Sequence, residues 1–120
     1  MSRMEPGEPY HRIDLDEALK MYQQEDSVVI DVRRPDEYAA GHVAAALSIP
    51  VDDLLARFDE LSDSKKLLFI CEVGVRSGLA CEMAAAMGLS SDNLYNIEAG
   101  TGSWINAGHP SSKSASKGAK

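Results

Sequence analysis

The stretch Lys66–Met87, KLLFICEVGVRSGLACEMAAAM, contains the pattern that decides the fold. After Lys66 the run to Ile70 is apolar without polar alternation, which is typical of a strand covered on both faces of a sheet. Alanine-rich sequence at helical spacing follows from Arg76 to Met87, and Gly88 ends it. The short segment that begins at Cys71 joins the two. The stretch therefore predicts a buried strand, a tight loop and a helix.

Strand and helix patterns also alternate on both sides of this stretch. A helix is predicted from the N-cap Asp14 to about Gln24, and a second buried strand over Ser27–Asp31. The other predicted elements are a short helix from Pro35 to Gly41, a strand over 46–49, a helix over 51–61, a strand over 93–97 and a helical turn over 103–107. This alternation predicts an α/β domain with a mainly parallel sheet between helical layers.

Length and composition limit the domain organisation. The chain has 120 residues, of which 44% are hydrophobic and 26% charged, so it has room for one domain with a core of ordinary size. We predict a folded domain over residues 10–110 and a flexible segment over residues 1–9. Residues 111–120 contain only Ser, Lys, Ala and Gly and are predicted to form a disordered tail.

The charge balance narrows the classes of partner. The chain has 12 basic and 19 acidic residues and a net charge of −7, and such a surface repels nucleic acid phosphates and anionic lipid headgroups. We therefore expect no nucleic acid and no membrane partner. Residues 1–9 have no apolar run long enough for a signal peptide, and two cysteines are too few for a disulfide framework. The expected location is cytoplasmic.

Cys71 follows a predicted strand directly, at the carboxyl end where α/β sheets bind ligands. The next residues, Glu72-Val73-Gly74-Val75-Arg76-Ser77, form a short loop, and Gly74 permits the positive φ that turns successive N–H groups inward. Such an anion cradle at a helix N-terminus would favour the thiolate of Cys71 and make it a nucleophile. A buried packing role is the alternative for this cysteine.

Five short motifs occur in order along residues 10–110. They are Ile30-Asp31-Val32-Arg33 with Glu37-Tyr38, Gly41-His42-Val43, Ser48-Ile49-Pro50, Cys71 to Ser77, and Gly100 with Trp104 and Gly108-His109-Pro110. In this order and at this spacing the chain resembles the rhodanese-like sulfurtransferases. The resemblance implies a three-layer α/β fold with a five-stranded, mainly parallel sheet between helices, and a cysteine that accepts a sulfane sulfur.

The resemblance also implies a reaction. Cys71 would take a sulfane sulfur from thiosulfate or a persulfide donor, become a persulfide, and pass the sulfur to a thiophilic acceptor. The acceptor is a small molecule or, in a persulfide relay, a partner protein that the acidic surface selects by its basic charge. No cofactor and no metal are expected, because the three histidines form no local cluster of ligands.

Loop length separates this interpretation from two other functions. Within the same fold, sites of the tyrosine-phosphatase type place five residues between cysteine and arginine, whereas four, Glu72 to Val75, separate Cys71 from Arg76. Phosphatase or arsenate-reductase activity is therefore the weaker alternative. An inactive interaction module is also disfavoured, because such modules often lack the cysteine.

Three residues outside the substrate-binding loop are candidates to support it: Asp31, Arg33 and Glu37. Arg76 either holds an anionic donor or pairs with a carboxylate such as Glu37 or Asp31. Asp31 and Arg33 end a strand at the same sheet edge as Cys71, where they either serve the site or form a structural ion pair.

Other residues have expected packing roles or depart from the family pattern. Cys81 and Trp104 are expected to pack in the core. Ala45 and Ala99 stand where the family usually has glycine, which predicts loops of different shape at both places. Glu72 directly follows the nucleophile, and its carboxylate would repel a dianionic donor such as thiosulfate.

Overall fold

The computed structural model describes residues 2–113 as a five-stranded sheet with helices on both faces, together with a small two-stranded sheet. The strands are β1 His11–Ile13, β2 Ser27–Asp31, β3 His42–Val43, β4 Leu47–Ser48, β5 Lys66–Ile70, β6 Leu94–Ile97 and β7 Ser111–Ser112. The α-helices are α1 Leu15–Tyr22, α2 Pro35–Ala40, α3 Val75–Ala86 and α4 Gly100–Asn106. Within this range, no helix is both long and apolar enough to cross a membrane.

All five strands of the main sheet are parallel, in the order β1-β6-β5-β2-β4. The middle strand is therefore β5. Its last residue, Ile70, lies opposite Asp31 of β2 and Ile97 of β6, so these three strands end at the same level. The loops that follow the three strands meet at one edge of the sheet, which is where ligands bind in this class of fold.

Two apolar cores lie on opposite faces of the sheet. Alternate residues of β5 enter different cores: Leu67 and Phe69 enter the first, and Leu68 and Ile70 the second. Helix α3 covers the first core, whereas α1 and α4 cover the second, in which Trp104 is fully buried. Burial on both faces explains why β2 and β5 have continuous apolar sequences.

The structure confirms the predicted fold class, a mainly parallel five-stranded sheet between helical layers. The two buried strands, β2 and β5, have the predicted bounds. Other elements differ at their ends: α1 ends at Tyr22 instead of about Gln24, and α4 begins at Gly100 instead of residue 103. Strand β1 is absent from the prediction because Ile13 alone among its residues is buried, which leaves no detectable period.

The single helix predicted over residues 51–61 is wrong. Two 3-10 helices, Val51–Asp53 and Phe58–Glu60, take its place with turns between them. Their hydrogen bonds span three residues instead of four, which suits short, tightly turned segments. The Arg57 guanidinium also donates to the backbone oxygen of Ser48 at 3.0 Å, and this bond holds the segment against β4.

The structure describes three residues beyond the predicted boundary at residue 110, and the predicted disorder of the tail stays a prediction. Ser111–Ser112 form β7, which pairs antiparallel with β3. The backbone oxygen of Pro110 accepts two hydrogen bonds, from Ala44 N at 3.1 Å and from Trp104 Nε1 at 2.8 Å. Composition could not reveal this pairing, because it is made by backbone groups of β3 and Ala44, which are distant in sequence. The rest of the predicted tail, residues 114–120, lies outside the described residues.

The segment before Tyr10 also contacts the domain. Arg3 and Arg12 exchange two backbone hydrogen bonds, of 2.9 and 2.7 Å. The Arg3 guanidinium donates to the Glu98 carboxylate at 2.7 Å. The predicted flexibility of residues 1–9 stays a prediction.

Ala45 is the one non-glycine residue between 2 and 113 with a positive φ, at 69°. Its side chain is exposed and gains little from packing, and the left-handed region costs an alanine about 1 kcal/mol. We expect Ala45→Gly to raise the free energy of unfolding by about 1 kcal/mol in urea denaturation. Ala99→Gly is the matched control and should lower stability, because Ala99 has an ordinary φ of −71°. A loss of stability in Ala45→Gly would contradict the assigned strain.

Candidate functional site

The loop after β5 wraps around the sulfur of Cys71. Gly74 N and Ser77 N donate to Sγ from 3.1 and 3.3 Å. Gly74 has a φ of 89°, as its place in the loop predicts, and stands directly before the first residue of α3. The sulfur therefore lies at the N-terminus of a 12-residue helix, where N–H groups and the helix dipole both favour an anion.

A serine and an asparagine continue the hydrogen-bond network behind the sulfur. Ser77 Oγ lies 3.3 Å from Sγ of Cys71 and donates to Asn96 Oδ1 at 2.6 Å. Asn96 Nδ2 donates to the backbone oxygen of Gly74 at 3.1 Å, which fixes the orientation of the amide. Because Ser77 directs its one proton to Asn96, the neutral thiol donates to Ser77, whereas a thiolate competes with Asn96 for that proton. Ser77 Oγ thus links the sulfur of Cys71 to Asn96.

Arg76 pairs with the carboxylate of Glu37. Its Nη1 and Nη2 atoms donate to the two carboxylate oxygens at 2.8 and 3.1 Å. This bidentate pair ties α2 to the first turn of α3. The hydrogen bond from Arg76 lowers the pKa of Glu37 to about 2. Of the two roles open to Arg76, this geometry matches the one that holds the loop.

Asp31 and Arg33 form a buried ion pair at the end of β2. The Arg33 guanidinium donates to the Asp31 carboxylate through Nε at 3.0 Å and Nη2 at 2.8 Å. Nη2 also donates to the backbone oxygen of Gly41 at 2.7 Å. Arg33 Nη1 lies 3.8 Å from Glu72 Oε1, so the pair reaches the Cys71 loop through Glu72.

Comparison with known proteins identifies the family of this α/β domain. A family model described as the rhodanese-like domain matches residues 14–107. The chain belongs to the rhodanese-like domain family. The matched range includes the Cys71 loop and the residues that contact it.

Named proteins with similar sequences or structures support the assignment. The uncharacterized protein YqhL of Bacillus subtilis (strain 168) is 34% identical over 76 residues, which cover 63% of this chain and 59% of YqhL. The putative sulfurtransferase YtwF of the same organism is 31% identical over 85 residues, covering 71% of this chain and 80% of YtwF. A crystal structure of a rhodanese-related protein from Thermoplasma volcanium has a TM-score of 0.76 and 31% sequence identity. The aligned residues cover 86% of this chain and 98% of the chain from Thermoplasma volcanium. For three curated relatives, YqhL included, the chain spans 49% to 59% of the relative's length.

The Cys71 loop of this rhodanese-like domain rests on the backbone at the start of α4. Thr101 donates twice to the backbone oxygen of Cys71, from N at 2.9 Å and from Oγ1 at 3.1 Å. Gly100 has a φ of 87°, and a Cβ atom there would lie 1.8 Å from the backbone oxygen of Glu72. Only glycine permits an approach this close.

The second cysteine of the rhodanese-like domain, Cys81, is fully buried on α3 in the first core. Burial raises the pKa of its thiol well above the ordinary value, which keeps it protonated. Among residues 2–113, no group of three or more His, Cys, Asp or Glu side chains could hold a metal ion.

The predicted site residues occupy three different environments. Backbone or side-chain groups of Gly74 and Ser77 contact the sulfur of Cys71. Four residues form ion pairs beside the loop: Asp31, Arg33, Glu37 and Arg76. The side chains of three loop residues are exposed: Glu72, Val73 and Val75.

Asn96 and Thr101 are absent from the predicted site. Asn96 interrupts the otherwise apolar strand β6 and is 1% exposed, so a polar residue within a buried strand was the available signal. Thr101 had no such signal, because its two bonds to Cys71 depend on the tertiary position of α4.

The low pKa of Glu37 predicts a pH-dependent contribution to stability. Because the folded pKa is about 2 and lies below the ordinary value, the pair stabilises the fold above about pH 4.3 and loses this effect as pH falls towards 2. Glu37→Gln should lower the free energy of unfolding by about 1–2 kcal/mol at pH 6, after allowance for partial exposure of the pair. The difference from wild type should shrink steadily between about pH 4.3 and 2.

The control for this measurement is Glu25→Gln. Glu25 is exposed and has no ion pair among the described residues, so its substitution should change stability little at any pH. A difference between wild type and Glu37→Gln that stays constant over the acid range would show that Arg76 does not hold Glu37 ionised.

Proposed function

We propose that this rhodanese-like domain is a sulfurtransferase that carries a sulfane sulfur as a persulfide on Cys71. The observation that carries the proposal is the position of Sγ at the N-terminus of α3, with Gly74 N and Ser77 N donating to it. These donors favour the thiolate, which is the nucleophilic form of cysteine. The chain's similarity to proteins named as sulfurtransferases agrees with this chemistry.

The reaction has two half-reactions that share one covalent intermediate. The Cys71 thiolate attacks the outer sulfur of the donor, and the donor's S–S bond breaks, so that sulfite leaves thiosulfate or a thiolate leaves a persulfide. A thiophilic acceptor then attacks the outer sulfur of the Cys71 persulfide, and the electron pair of that S–S bond returns to Sγ. The kinetics are therefore ping-pong.

The loop has further donors for the second sulfur. The N–H groups of Val75 and Arg76 lie in the first turn of α3, where N–H groups have no acceptor within the helix. They are available to the outer sulfur of a persulfide, which carries the negative charge. Preorganised donors of this kind stabilise charge as an oxyanion hole does.

The charges around the loop favour a persulfide over thiosulfate as the sulfur donor. Arg76 is paired with Glu37, and Arg33 with Asp31, so each has a carboxylate partner before any donor arrives. Glu72 is next to the nucleophile and adds a negative charge at the same place. A dianionic donor therefore gains little electrostatic attraction at this loop. A persulfide presented by a protein with basic residues is attracted by the negative charge. A reducing compartment such as the cytoplasm keeps both cysteines as thiols, and we place the protein there.

Phosphatase activity is the weaker proposal. Four residues separate Cys71 from Arg76, which is one fewer than in phosphatase loops of this fold. The Arg76 guanidinium donates to Glu37 through both terminal nitrogens, which leaves it committed to a carboxylate instead of a phosphate.

Intact-mass spectrometry tests the proposed persulfide. We expect wild type and Cys81→Ala to gain the mass of one sulfur atom after incubation with glutathione persulfide, and Cys71→Ser to gain none. Thiosulfate should load the same residue more slowly, because of the carboxylate of Glu72. Treatment with dithiothreitol should remove the added sulfur.

Circular dichroism and thermal unfolding serve as the control that both variants are folded. Uptake of sulfur by Cys71→Ser would contradict the single-cysteine mechanism. Failure of a folded Cys81→Ala variant to take up sulfur would contradict it as well.

A further inference from the structure

Three exposed aliphatic side chains lie beside the Cys71 loop. Val73, Val75 and Leu79 are 74%, 73% and 50% exposed, although each is a residue that is usually buried. Val75 and Leu79 are four residues apart on α3 and therefore share one face of the helix. Clustered exposed apolar side chains are typical of surfaces that bind another molecule.

These side chains line a groove of about 390 Å³, which we call the loop groove. Ten residues line it: Glu8, Tyr10, Arg12, Val73, Gly74, Val75, Gly78, Leu79, Glu82 and Glu98. The lining thus combines aliphatic side chains with charged ones, and Glu82 lies on α3 together with Val75 and Leu79. The groove begins at Gly74, whose N–H donates to the sulfur of Cys71 at 3.1 Å.

Carboxylates outnumber guanidinium groups in the lining of the loop groove. Arg12 donates to Glu8 at 2.8 Å and lies 3.4 Å from Glu98, which also accepts from Arg3 at 2.7 Å. Arg3 also pairs with Glu5 at 3.0 Å, so these two arginines are shared among three carboxylates. Glu82 is exposed and has no ion pair among residues 2–113. The groove therefore complements a ligand that carries aliphatic groups and a positive charge.

We propose that the loop groove binds the segment of a partner protein that exchanges sulfur with Cys71, and that this segment presents its cysteine beside aliphatic and basic residues. This inference rests on the proposed function. The partner's thiolate attacks the outer sulfur of the Cys71 persulfide, the S–S bond breaks, and its electron pair stays on Sγ as the Cys71 thiolate. The partner leaves as the persulfide, and no oxidant or reductant is consumed.

The shape of the surface favours a polypeptide over a small thiol. A small acceptor contacts the sulfur but cannot reach Leu79 and Glu82, which lie about one and two helical turns beyond the first residue of α3. An extended segment rises about 3.3 Å per residue and reaches both residues while its cysteine is at Cys71. Leu79 and Glu82 are therefore specificity residues for a protein acceptor and have no contact with the reacting sulfur.

The test measures sulfur transfer from the Cys71 persulfide to three synthetic acceptors. One is the peptide Arg-Leu-Cys-Leu-Lys, the second is the same peptide with Glu in place of Arg and Lys, and the third is 2-mercaptoethanol. We expect wild type to transfer sulfur to the basic peptide about fivefold faster than to the acidic peptide at low ionic strength. Glu82→Lys should abolish or reverse this preference.

Matched variants separate docking from chemistry. Glu25→Lys makes the same charge change before β2, at the opposite end of the sheet, and should keep the preference for the basic peptide. Leu79→Ser should slow transfer to both peptides, whereas Met87→Ser, which alters an equally exposed residue just after α3, should not. None of the four substitutions should change transfer to 2-mercaptoethanol.

The experiment distinguishes failure of the groove as a docking site from failure of the proposed function. If Cys71 takes up sulfur and passes it to 2-mercaptoethanol, but Glu82→Lys and Leu79→Ser transfer to the peptides as wild type does, the groove is not a docking site and the proposed function stands. If Cys71 takes up no sulfur from any donor, the proposed function is wrong and the role of the groove fails with it.

Discussion

The contact between the start of α4 and the loop after β5 is the constraint on which the site depends. Gly100 approaches the backbone of Glu72 so closely that a Cβ atom would lie 1.8 Å from its oxygen, and Thr101 donates twice to the backbone oxygen of Cys71. These contacts fix the point at which the loop leaves the sheet. They leave the N–H groups of Gly74 and Ser77 aimed at the sulfur. Without these contacts, nothing else that the structure describes at the start of the loop would keep both N–H groups directed at Sγ of Cys71.

The parallel sheet supplies the geometry that makes this contact possible. Strands β5 and β6 end in register, with Ile70 opposite Ile97, so the loops that follow them leave the sheet side by side. Strand β2 ends at the same level and brings the Asp31–Arg33 pair beside the loop. The ion pair between Arg76 and Glu37 then ties α2 to the first turn of α3. Positive charge near the sulfur is thereby neutralised by carboxylates, and the helix N-terminus becomes the main source of stabilisation for an anion.

Local patterns predicted the parts of the structure that local forces determine. The apolar runs of β2 and β5 predicted buried strands with the right bounds, and the position of Cys71 before a glycine-containing loop predicted the turn around the sulfur. Tertiary contacts decided the rest. The segment over residues 51–61 has helical spacing but forms two 3-10 helices, and Ser111–Ser112 pair with β3 despite a composition typical of disorder. Thr101 contacts Cys71 from 30 residues away, which no local pattern encodes, whereas Asn96 is marked only as a polar residue within a buried strand.

The central claim is that the contacts of Gly100 and Thr101 with the loop make Cys71 nucleophilic. The most direct test is alkylation of Cys71 by iodoacetamide in a Cys81→Ala background. Gly100→Ala should slow alkylation at neutral pH by about tenfold, because the added methyl group displaces the loop and both N–H donors with it. Thr101→Val, a milder change, should slow it less. Gly102→Ala is the control, since a Cβ atom there meets nothing within 4 Å, and it should react as the parent does. A folded Gly100→Ala variant that alkylates as fast as Gly102→Ala would contradict the account.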